Sequence, residues 1–299
     1  MSVTELIAAA SQKLQDAGVS FGHGTTNAHD EAVWLVLWSL GLPLDTALDD
    51  ASALPAPTNA QQIKALELVA QRIAQRKPAA YLTQEAWLQG VAFYVDERVI
   101  VPRSLIAELL VDGSIDYWLT ETTHAVLDLC TGNGSLAIIA ALEFPDVEVD
   151  AADISQDALA VARINVDKHG LQQRVRLCQS DGLQNLTHAD GSARTYDLII
   201  CNPPYVNAQS MADLPPEYLA EPQIALDGNI SGGVDGMDFI RMLLAQAAQH
   251  MNPGAVLLLE IGNERPFFEA AFPTLEVVWL ETSAGDDQVL LIPREALTQ

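Results

Sequence analysis

The residues of this chain with the clearest chemical meaning are Asn202, Pro203, Pro204 and Tyr205, which directly follow the apolar run YDLIIC. The two prolines fix φ and stiffen the turn, so the Asn202 side-chain oxygen and the Pro203 backbone oxygen are held in fixed directions. Hydrogen bonds from both hydrogens of an NH2 group to such acceptors raise the electron density on a planar nitrogen and aim its lone pair at a donor carbon. Tyr205 can pack on the flat face of that group. Asn202, Pro203 and Tyr205 are therefore the candidate catalytic residues.

Three acidic residues, Asp128, Asp153 and Asp181, end apolar runs upstream of this motif, and Asn202 ends the next run. In a parallel sheet the ligand lies at the carboxyl ends of the strands. One such polar residue could be a helix cap. Together they indicate hydrogen-bonding groups along one edge of a cleft.

A glycine-containing turn follows Asp128, and its glycines let backbone amides at a helix N-terminus approach a ligand. Its residues are Cys130, Thr131, Gly132, Asn133 and Gly134. Gly132, Gly134 and Ala137 also satisfy the GxGxxG/A dinucleotide pattern, with Asp153 about 20 residues further on for a ribose. The turn fits an NAD-dependent oxidoreductase and a protein that binds S-adenosylmethionine equally well, because both cofactors carry an adenosine. The four residues from Asn202 separate the two, since an oxidoreductase gives them no catalytic role.

The elements that must position these residues alternate regularly between strand and helix from residue 125 onward. This alternation predicts a doubly wound, Rossmann-like α/β fold with a parallel sheet. The last two runs, LEVVWLET and DQVLLIP, predict an antiparallel C-terminal hairpin that completes seven strands. The parallel strands are predicted at AVLDL, VEVDAAD, RVRLCQSD, YDLIICN and AVLLLEIG.

The chain before this region has a different pattern, and its length of 299 residues suggests two domains. Residues 1–77 are predicted to form a small helical domain, with helices up to Asp16, from Asn27 to Gly41 and from Asn59 to Arg76. Residues 78–104 are predicted as a β-hairpin connector that turns at Gln89-Gly90. Residues 105–299 would be the catalytic domain.

The composition restricts the partners. The chain has 40 acidic and 15 basic residues, a net charge of -25, and 49% hydrophobic residues, which excludes disorder. An acidic surface repels nucleic acid, and the densest basic group, Arg72, Arg76 and Lys77, is predicted to be a solvated helix face, so duplex DNA is not an expected partner. No membrane-length apolar run or signal peptide is evident, and a cytoplasmic protein is expected. Cys130, Cys178 and Cys201 are predicted to be buried reduced thiols, without a metal.

Four motifs together resemble a known family: DLCTGNG, AADIS, SDG and NPPY, in this order and spacing, are similar to the class I S-adenosylmethionine-dependent methyltransferases with an NPPY motif. The similarity covers nearly the whole chain. The connector, VPRS, AEL, MADLPPEY and Glu221-Pro222 resemble the glutamine N(5)-methyltransferases. Within them, VPRS with AEL and DLCTG resemble the branch that modifies ribosomal protein L-three, whereas the release-factor branch reads PRPETE and DLGTG.

The resemblance implies S-adenosylmethionine as the cofactor and assigns a role to each candidate residue. Residues 130–134 would surround its methionine end with Asp128 at the base of the loop, Asp153 would bind the ribose hydroxyls, and Asp181 would lie by the adenine. Asn202, which also borders the cofactor, would hold a glutamine amide together with Pro203 and Tyr205 for an in-line methyl transfer without a metal. The helical domain would recognise a protein substrate, and basic ribosomal protein L-three suits the charge of -25.

Other functions stay open at this point: glutamine methylation of a peptide chain release factor, adenine-N(6) methylation of nucleic acid, a nicotinamide oxidoreductase, and a catalytically silent cofactor-binding module. The sequence also departs from the family pattern. Leu105 replaces a proline, Gly182 replaces a larger side chain, and the loop 227–238 is longer than usual. Arg103 is either a salt-bridge partner of an acid or a connector residue that shapes the substrate cleft.

Overall fold

The structure, a computed structural model, describes residues 1–48, 54–188 and 190–298. Residues 49–53, within the predicted helical domain, lie outside the described residues. Serine, asparagine and threonine side chains cap the first three helices: Ser2 and Thr58 form capping boxes and Asn27 accepts from a backbone amide. The helices are α1 (Val3–Asp16), α2 (Ala28–Leu40), α3 (Asn59–Gln75) and the short α4 (Ala79–Thr83). The three predicted helices are confirmed within one residue at most ends.

The connector forms a short antiparallel hairpin of β1 (Ala86–Leu88) and β2 (Val91–Phe93). The turn lies at Gln89 and Gly90, both with left-handed φ values of 48° and 74°. Two consecutive positive φ values characterise the two-residue turns whose twist matches a hairpin. The predicted turn position is therefore confirmed.

The sheet has seven strands in the order β5-β4-β3-β6-β7-β9-β8. The first five are parallel, and β9 runs antiparallel between β7 and β8. The predicted doubly wound sheet with its antiparallel C-terminal hairpin is confirmed. The strands are β3 (Ala125–Leu129), β4 (Glu148–Asp153), β5 (Val175–Gln179), β6 (Tyr196–Cys201), β7 (Met251–Glu260), β8 (Val278–Thr282) and β9 (Gly285–Pro293).

Helices cover both faces of this sheet, and alternate strand residues pack into separate apolar clusters. Val126 of β3 packs with one cluster, whereas Leu127 and Leu129 pack with the other. The strand order reverses between β3 and β6, so their carboxyl ends open a crevice there. The helices are α5 (Ile106–Val111), α6 (Ser135–Glu143), α7 (Gln156–Lys168), α8 (Ala208–Ala212), α9 (Asp238–Ala247) and α10 (Arg265–Ala271).

A third apolar cluster joins the N-terminal helices to the sheet region. It combines side chains of α1, α2 and α3 with connector residues and with Ala158 and Val161 of α7. The boundaries 1–77, 78–104 and 105–299 stay a prediction, because packing contacts alone do not define units that fold independently. None of the helices described here combines the length and apolar character needed to cross a membrane.

Candidate active site

The turn after β3 approaches the neighbouring strand β4 through its backbone. Cys130, Gly132 and Gly134 have left-handed φ values of 62°, 56° and 82°. The Thr131 N–H donates to the Ala152 carbonyl at 3.0 Å, and the Gly132 N–H donates to Asp153 Oδ2 at 3.0 Å. Asp153, whose pKa is raised by burial, is thereby held against the glycine turn. The turn and the second predicted carboxylate form one unit.

Asp128 lies beneath this turn and is 1% exposed. Its Oδ2 accepts the Thr131 hydroxyl at 2.5 Å and the Ala137 N–H at 3.0 Å. Its Oδ1 is buried without a hydrogen-bond partner among the described residues. Burial raises the pKa of Asp128 to about 7. A buried acceptor without a donor fits a ligand that supplies one.

A cavity of about 240 Å³ lies where β3, β4, β5 and β6 end. Five of the predicted site residues line it together: Cys130, Gly132, Asp153, Asp181 and Asn202. The remaining predicted residues do not line it: Asp128, Thr131, Asn133, Gly134, Pro203 and Tyr205. Thr131 and Asn133 are buried behind the turn, and Gly134 caps α6, so these residues support the wall rather than form it.

The segment after β6 is held by two glycine contacts. A β-carbon on Gly262 would lie 2.7 Å from the Tyr205 ring, and one on Gly236 would lie 2.1 Å from the Tyr205 carbonyl oxygen. The next residue, Val206, donates its N–H to the Leu226 carbonyl at 2.9 Å and accepts from Gly228 N–H at 3.1 Å. The long loop 227–238 thus packs directly on the Asn202–Tyr205 motif.

Sequence reasoning missed a fifth polar strand end. Glu260 closes β7 beside the end of β6, is 4% exposed, and accepts the Ser104 hydroxyl at 2.5 Å and the Leu105 N–H at 2.9 Å. Burial raises its pKa to about 7. The signal that identified Asp128, an acid that closes a buried apolar run, was also present in the run AVLLLE. Glu260 anchors the Ser104 segment to the sheet.

Two charge predictions are changed by the structure. Arg72 is fully buried and donates to Glu31 at 2.8 Å and to Glu217 at 3.2 Å, so a solvated face is wrong for this residue. Arg103 donates to both Glu221 oxygens at 2.6 and 2.8 Å. Of its two predicted roles, the salt bridge to an acid is therefore present in the structure. Each arginine contacts a glutamate more than 100 positions away in the sequence, Glu217 for Arg72 and Glu221 for Arg103.

The three cysteines are free thiols, but only Cys201 is buried, so the burial prediction is wrong for the half-buried Cys130 and Cys178. Within the described ranges, no group of histidine, cysteine and acidic side chains has an arrangement that would hold a metal ion.

The doubly wound sheet, its antiparallel C-terminal strands and the crevice at the ends of β3 and β6 form the fold of the class I methyltransferases. The family model for the methyltransferase small domain matches residues 110–226. The fold is also similar to the hMettl16 catalytic domain solved in complex with the MAT2A 3'UTR hairpin 1, with a TM-score of 0.51 at 14% identity over 78% of this chain and 79% of that chain.

Curated relatives narrow this class. The chain is 51% identical to the ribosomal protein uL3 glutamine methyltransferase of Burkholderia pseudomallei, over 97% of this chain and 94% of the relative. It is 50% identical to that of Bordetella pertussis over 99% and 96%, and 48% identical to that of Neisseria gonorrhoeae over 99% and 95%. The chain belongs to the family of ribosomal protein uL3 glutamine methyltransferases. The resemblance seen in the motifs is confirmed, and the oxidoreductase alternative is not supported.

Proposed function

We propose that this protein transfers a methyl group from S-adenosylmethionine to the side-chain amide nitrogen of a glutamine in ribosomal protein uL3. The observation that carries the proposal is that Gly132, Asp153 and Asn202 line the same cavity. A cofactor and an acceptor amide bound in this cavity would therefore lie next to each other. The names of relatives that are about half identical over nearly the whole chain support uL3 as the substrate.

The residues around the glycine turn fit the cofactor. Residues 130–134 would hold its methionine end, Asp153 its ribose hydroxyls, and Asp181 would lie by the adenine. The partnerless Asp128 Oδ1 at the base of the turn offers an acceptor for a donor of the bound ligand. Gly182 has a left-handed φ of 53°, and a β-carbon there would lie 3.2 Å from the end of the Met242 side chain of α9.

S-adenosylmethionine, when bound, supplies an electrophilic methyl group on a positively charged sulfur. The chain's own residues position the nucleophile: the Asn202 side-chain oxygen and the Pro203 carbonyl would accept the two amide hydrogens and aim the nitrogen lone pair. This orientation is the main source of acceleration, because an amide nitrogen is a weak nucleophile whose lone pair is delocalised. The nitrogen then loses one proton. The Tyr205 ring, which lies close to Gly262, would help to fix the position of the stiff turn.

The net charge of the chain favours a basic protein over a nucleic acid as the substrate, and the mouth of the cavity offers apolar contacts. Ile154, Ile224 and Ile230 line the cavity and are 48%, 56% and 51% exposed, so its mouth is apolar. The net charge of -25 attracts a basic partner and repels phosphates. Binding to uL3 rather than duplex DNA, and activity in the cytoplasm, are part of this proposal.

The test is intact-mass spectrometry and peptide mapping of uL3 and of a peptide release factor, each incubated with the protein and S-adenosylmethionine. We expect one added methyl on a glutamine of uL3 alone. A methyl on the release factor alone would assign the protein to the sister specificity. Absence of added mass on both proteins, with cofactor binding demonstrated, would refute glutamine methylation of these two substrates.

Replacing Asp128 by asparagine should separate cofactor binding from stability. The variant keeps one oxygen for Thr131 and Ala137 but lacks the partnerless carboxylate oxygen, so S-adenosylmethionine affinity should fall by about 10- to 100-fold, the value of a hydrogen bond to a charged group. Isothermal titration calorimetry at pH 8 measures this loss. Asp146→Asn, the same change at an exposed turn, is the control.

Asp128→Asn should lower cofactor affinity but should not lower the stability of the cofactor-free protein. The pKa of Asp128 rises from 3.8 to about 7 on folding, so the unfolded chain releases this proton first as the pH rises. The carboxyl group therefore lowers the free energy of unfolding progressively as the pH rises from about 4 to about 7. Above about pH 7 this destabilisation is complete. Cofactor-free Asp128→Asn should be at least as stable as the wild type in thermal unfolding at pH 8. The melting temperature of the variant minus that of the wild type should be larger at pH 8 than at pH 5. A smaller difference at pH 8 would contradict this account.

A further inference from the structure

The residues 217–225 form a segment, here called the strap, that joins the N-terminal helices to the cavity. Its two glutamates, Glu217 and Glu221, are 0% and 5% exposed and both face arginines from outside the strap. Directly after them, Pro222, Ile224 and Ala225 line the cavity. The strap thus has one buried charged part and one part that forms the cavity wall.

Glu217 is held by helix α3. Arg76 donates to it from Nε at 2.6 Å and from Nη2 at 3.0 Å, and Arg72 donates from Nη1 at 3.2 Å. Arg72 in turn donates to the Ser20 carbonyl at 2.8 Å, in the segment between α1 and α2. Burial alone would raise the pKa of Glu217, but the hydrogen bonds from Arg76, from the backbone and from Arg72 together outweigh it, and the pKa is lowered. This carboxylate is therefore charged and fixed to the helical region.

Glu221 is held by the connector. It accepts both hydrogen bonds of the Arg103 guanidinium and the Val101 N–H at 2.9 Å, and His23 Nε2 lies 3.5 Å away. Burial opposes ionisation, yet the charge of Arg103 and these hydrogen bonds lower the pKa of Glu221 to about 2. The Tyr218 ring lies near both side chains, with its centroid 4.3 Å from that of the His23 ring and 5.4 Å from the Arg103 guanidinium.

The far end of the strap is fixed to the catalytic motif. The Leu226 carbonyl, next to the strap, accepts the Val206 N–H, one residue after Tyr205. A shift of the N-terminal helices would therefore be transmitted through Glu217 and Glu221 to the cavity wall and to Val206, directly after the residues that hold the acceptor. Apolar side chains would anchor a loop at least as strongly as buried ion pairs, whose desolvation is costly, but ion pairs with this geometry permit a single arrangement.

We propose that Glu217 and Glu221, with Arg76 and Arg103, are positioning residues that set the acceptor side of the cavity according to the position of the N-terminal helices. Docking of the protein substrate on those helices would then fix the cavity wall against which its glutamine lies. This inference rests on the proposed function. Because the strap acts on the acceptor, its loss should lower the rate of transfer and leave the binding of S-adenosylmethionine intact.

The test compares two neighbouring residues. Arg76→Gln removes the two hydrogen bonds to Glu217, whereas Lys77→Gln removes an ion pair with Glu97, 2.5 Å long, that does not involve the strap. The two side chains are similarly exposed, at 31% and 33%, so both variants should fold. Arg76→Lys restores the charge, and Arg103→Lys, which keeps a cation beside Glu221 without the two-pronged contact, is a second strap variant. The readouts are kcat and KM with uL3, S-adenosylmethionine affinity and melting temperature.

We expect Arg76→Gln to lower kcat about tenfold, since small misplacements of reacting groups are costly, while cofactor affinity and KM for uL3 stay within about twofold. Arg76→Lys should recover most of the rate, Arg103→Lys should show the same split, and Lys77→Gln should behave as wild type. Equal kcat values in Arg76→Gln and Lys77→Gln would overturn the inference, as would a loss of cofactor affinity in Arg76→Gln that equals its loss of kcat. Neither result would affect the proposed function. Wild-type protein that does not methylate uL3 would refute the proposed function, and this inference with it.

Discussion

Replacing Asn202 with alanine should lower the rate of methyl transfer by about 1,000-fold, the upper range for removing one fixed polar contact to a reacting group. The Asn202 oxygen is one of the two acceptors proposed to hold the amide hydrogens, and the alanine variant has no replacement. The amide would then be held by one acceptor only, so its nitrogen would be less well oriented toward the methyl donor and its lone pair would stay delocalised. Single-turnover transfer to uL3 at saturating S-adenosylmethionine measures the effect without a contribution from product release.

Cofactor affinity in this variant should stay within a few-fold of wild type, because the glycine turn and Asp153 are unchanged. Asn185→Ala, the same substitution at an exposed position, controls for general effects of the change. Full transfer activity of Asn202→Ala would show that the motif does not activate the acceptor and would make the proposed mechanism wrong. A loss of cofactor affinity equal to the loss of rate would show that Asn202 acts in cofactor binding rather than in holding the acceptor amide.

Replacing Gly236 with alanine should lower the transfer rate by about 100-fold, because displacing a catalytic segment by about 1 Å has an effect of this order. A β-carbon at this position would lie 2.1 Å from the Tyr205 carbonyl oxygen and 3.1 Å from the Asn207 nitrogen. Both atoms belong to the backbone, so the contact is relieved only if the segment after Asn202 or the loop that carries Gly236 moves. The loop 227–238 therefore sets the position of the acceptor motif.

Gly232→Ala in the same loop is the matched control. Both glycines have left-handed φ values, 76° at Gly236 and 89° at Gly232, so both substitutions carry the same kind of backbone strain, about 1–2 kcal/mol. A β-carbon on Gly232 would have no atom within 4 Å. Transfer kinetics and thermal unfolding of the two variants separate the close contact from the strain. Equal rates in the two variants would show that the loop does not position the motif.

The sequence by itself determined the elements of the sheet and the residues at their ends. Apolar runs closed by Asp128, Asp153 and Asn202 identified strands β3, β4 and β6, because a strand buried on both faces reads as a continuous apolar run and its first polar residue marks the sheet edge. The hairpin turn at Gln89-Gly90 and the helix caps at Ser2, Asn27 and Thr58 are equally local. Such features depend on neighbours a few residues away, so spacing along the chain is enough to predict them.

The charged network was decided only by the tertiary structure. Arg76 and Glu217 are separated by 141 positions, and Arg103 and Glu221 by 118. In the sequence Arg72, Arg76 and Lys77 have the spacing of an exposed helix face, and nothing local distinguishes the fully buried Arg72 from the partly exposed Lys77. Burial of a charge depends on which carboxylate another segment brings to it, and a one-dimensional pattern carries no information on that pairing.

The same limit applies to the candidate site. The sequence placed Asn202, Pro203 and Tyr205 together as one motif, but only the structure shows that Asn202 lines the cavity whereas Tyr205 does not and has its ring close to Gly262. The contact of Gly236 with the Tyr205 carbonyl also depends on how a loop more than 20 residues later folds back. Residue types determine which chemistry is available, whereas close packing between distant segments determines which of those residues face the substrate.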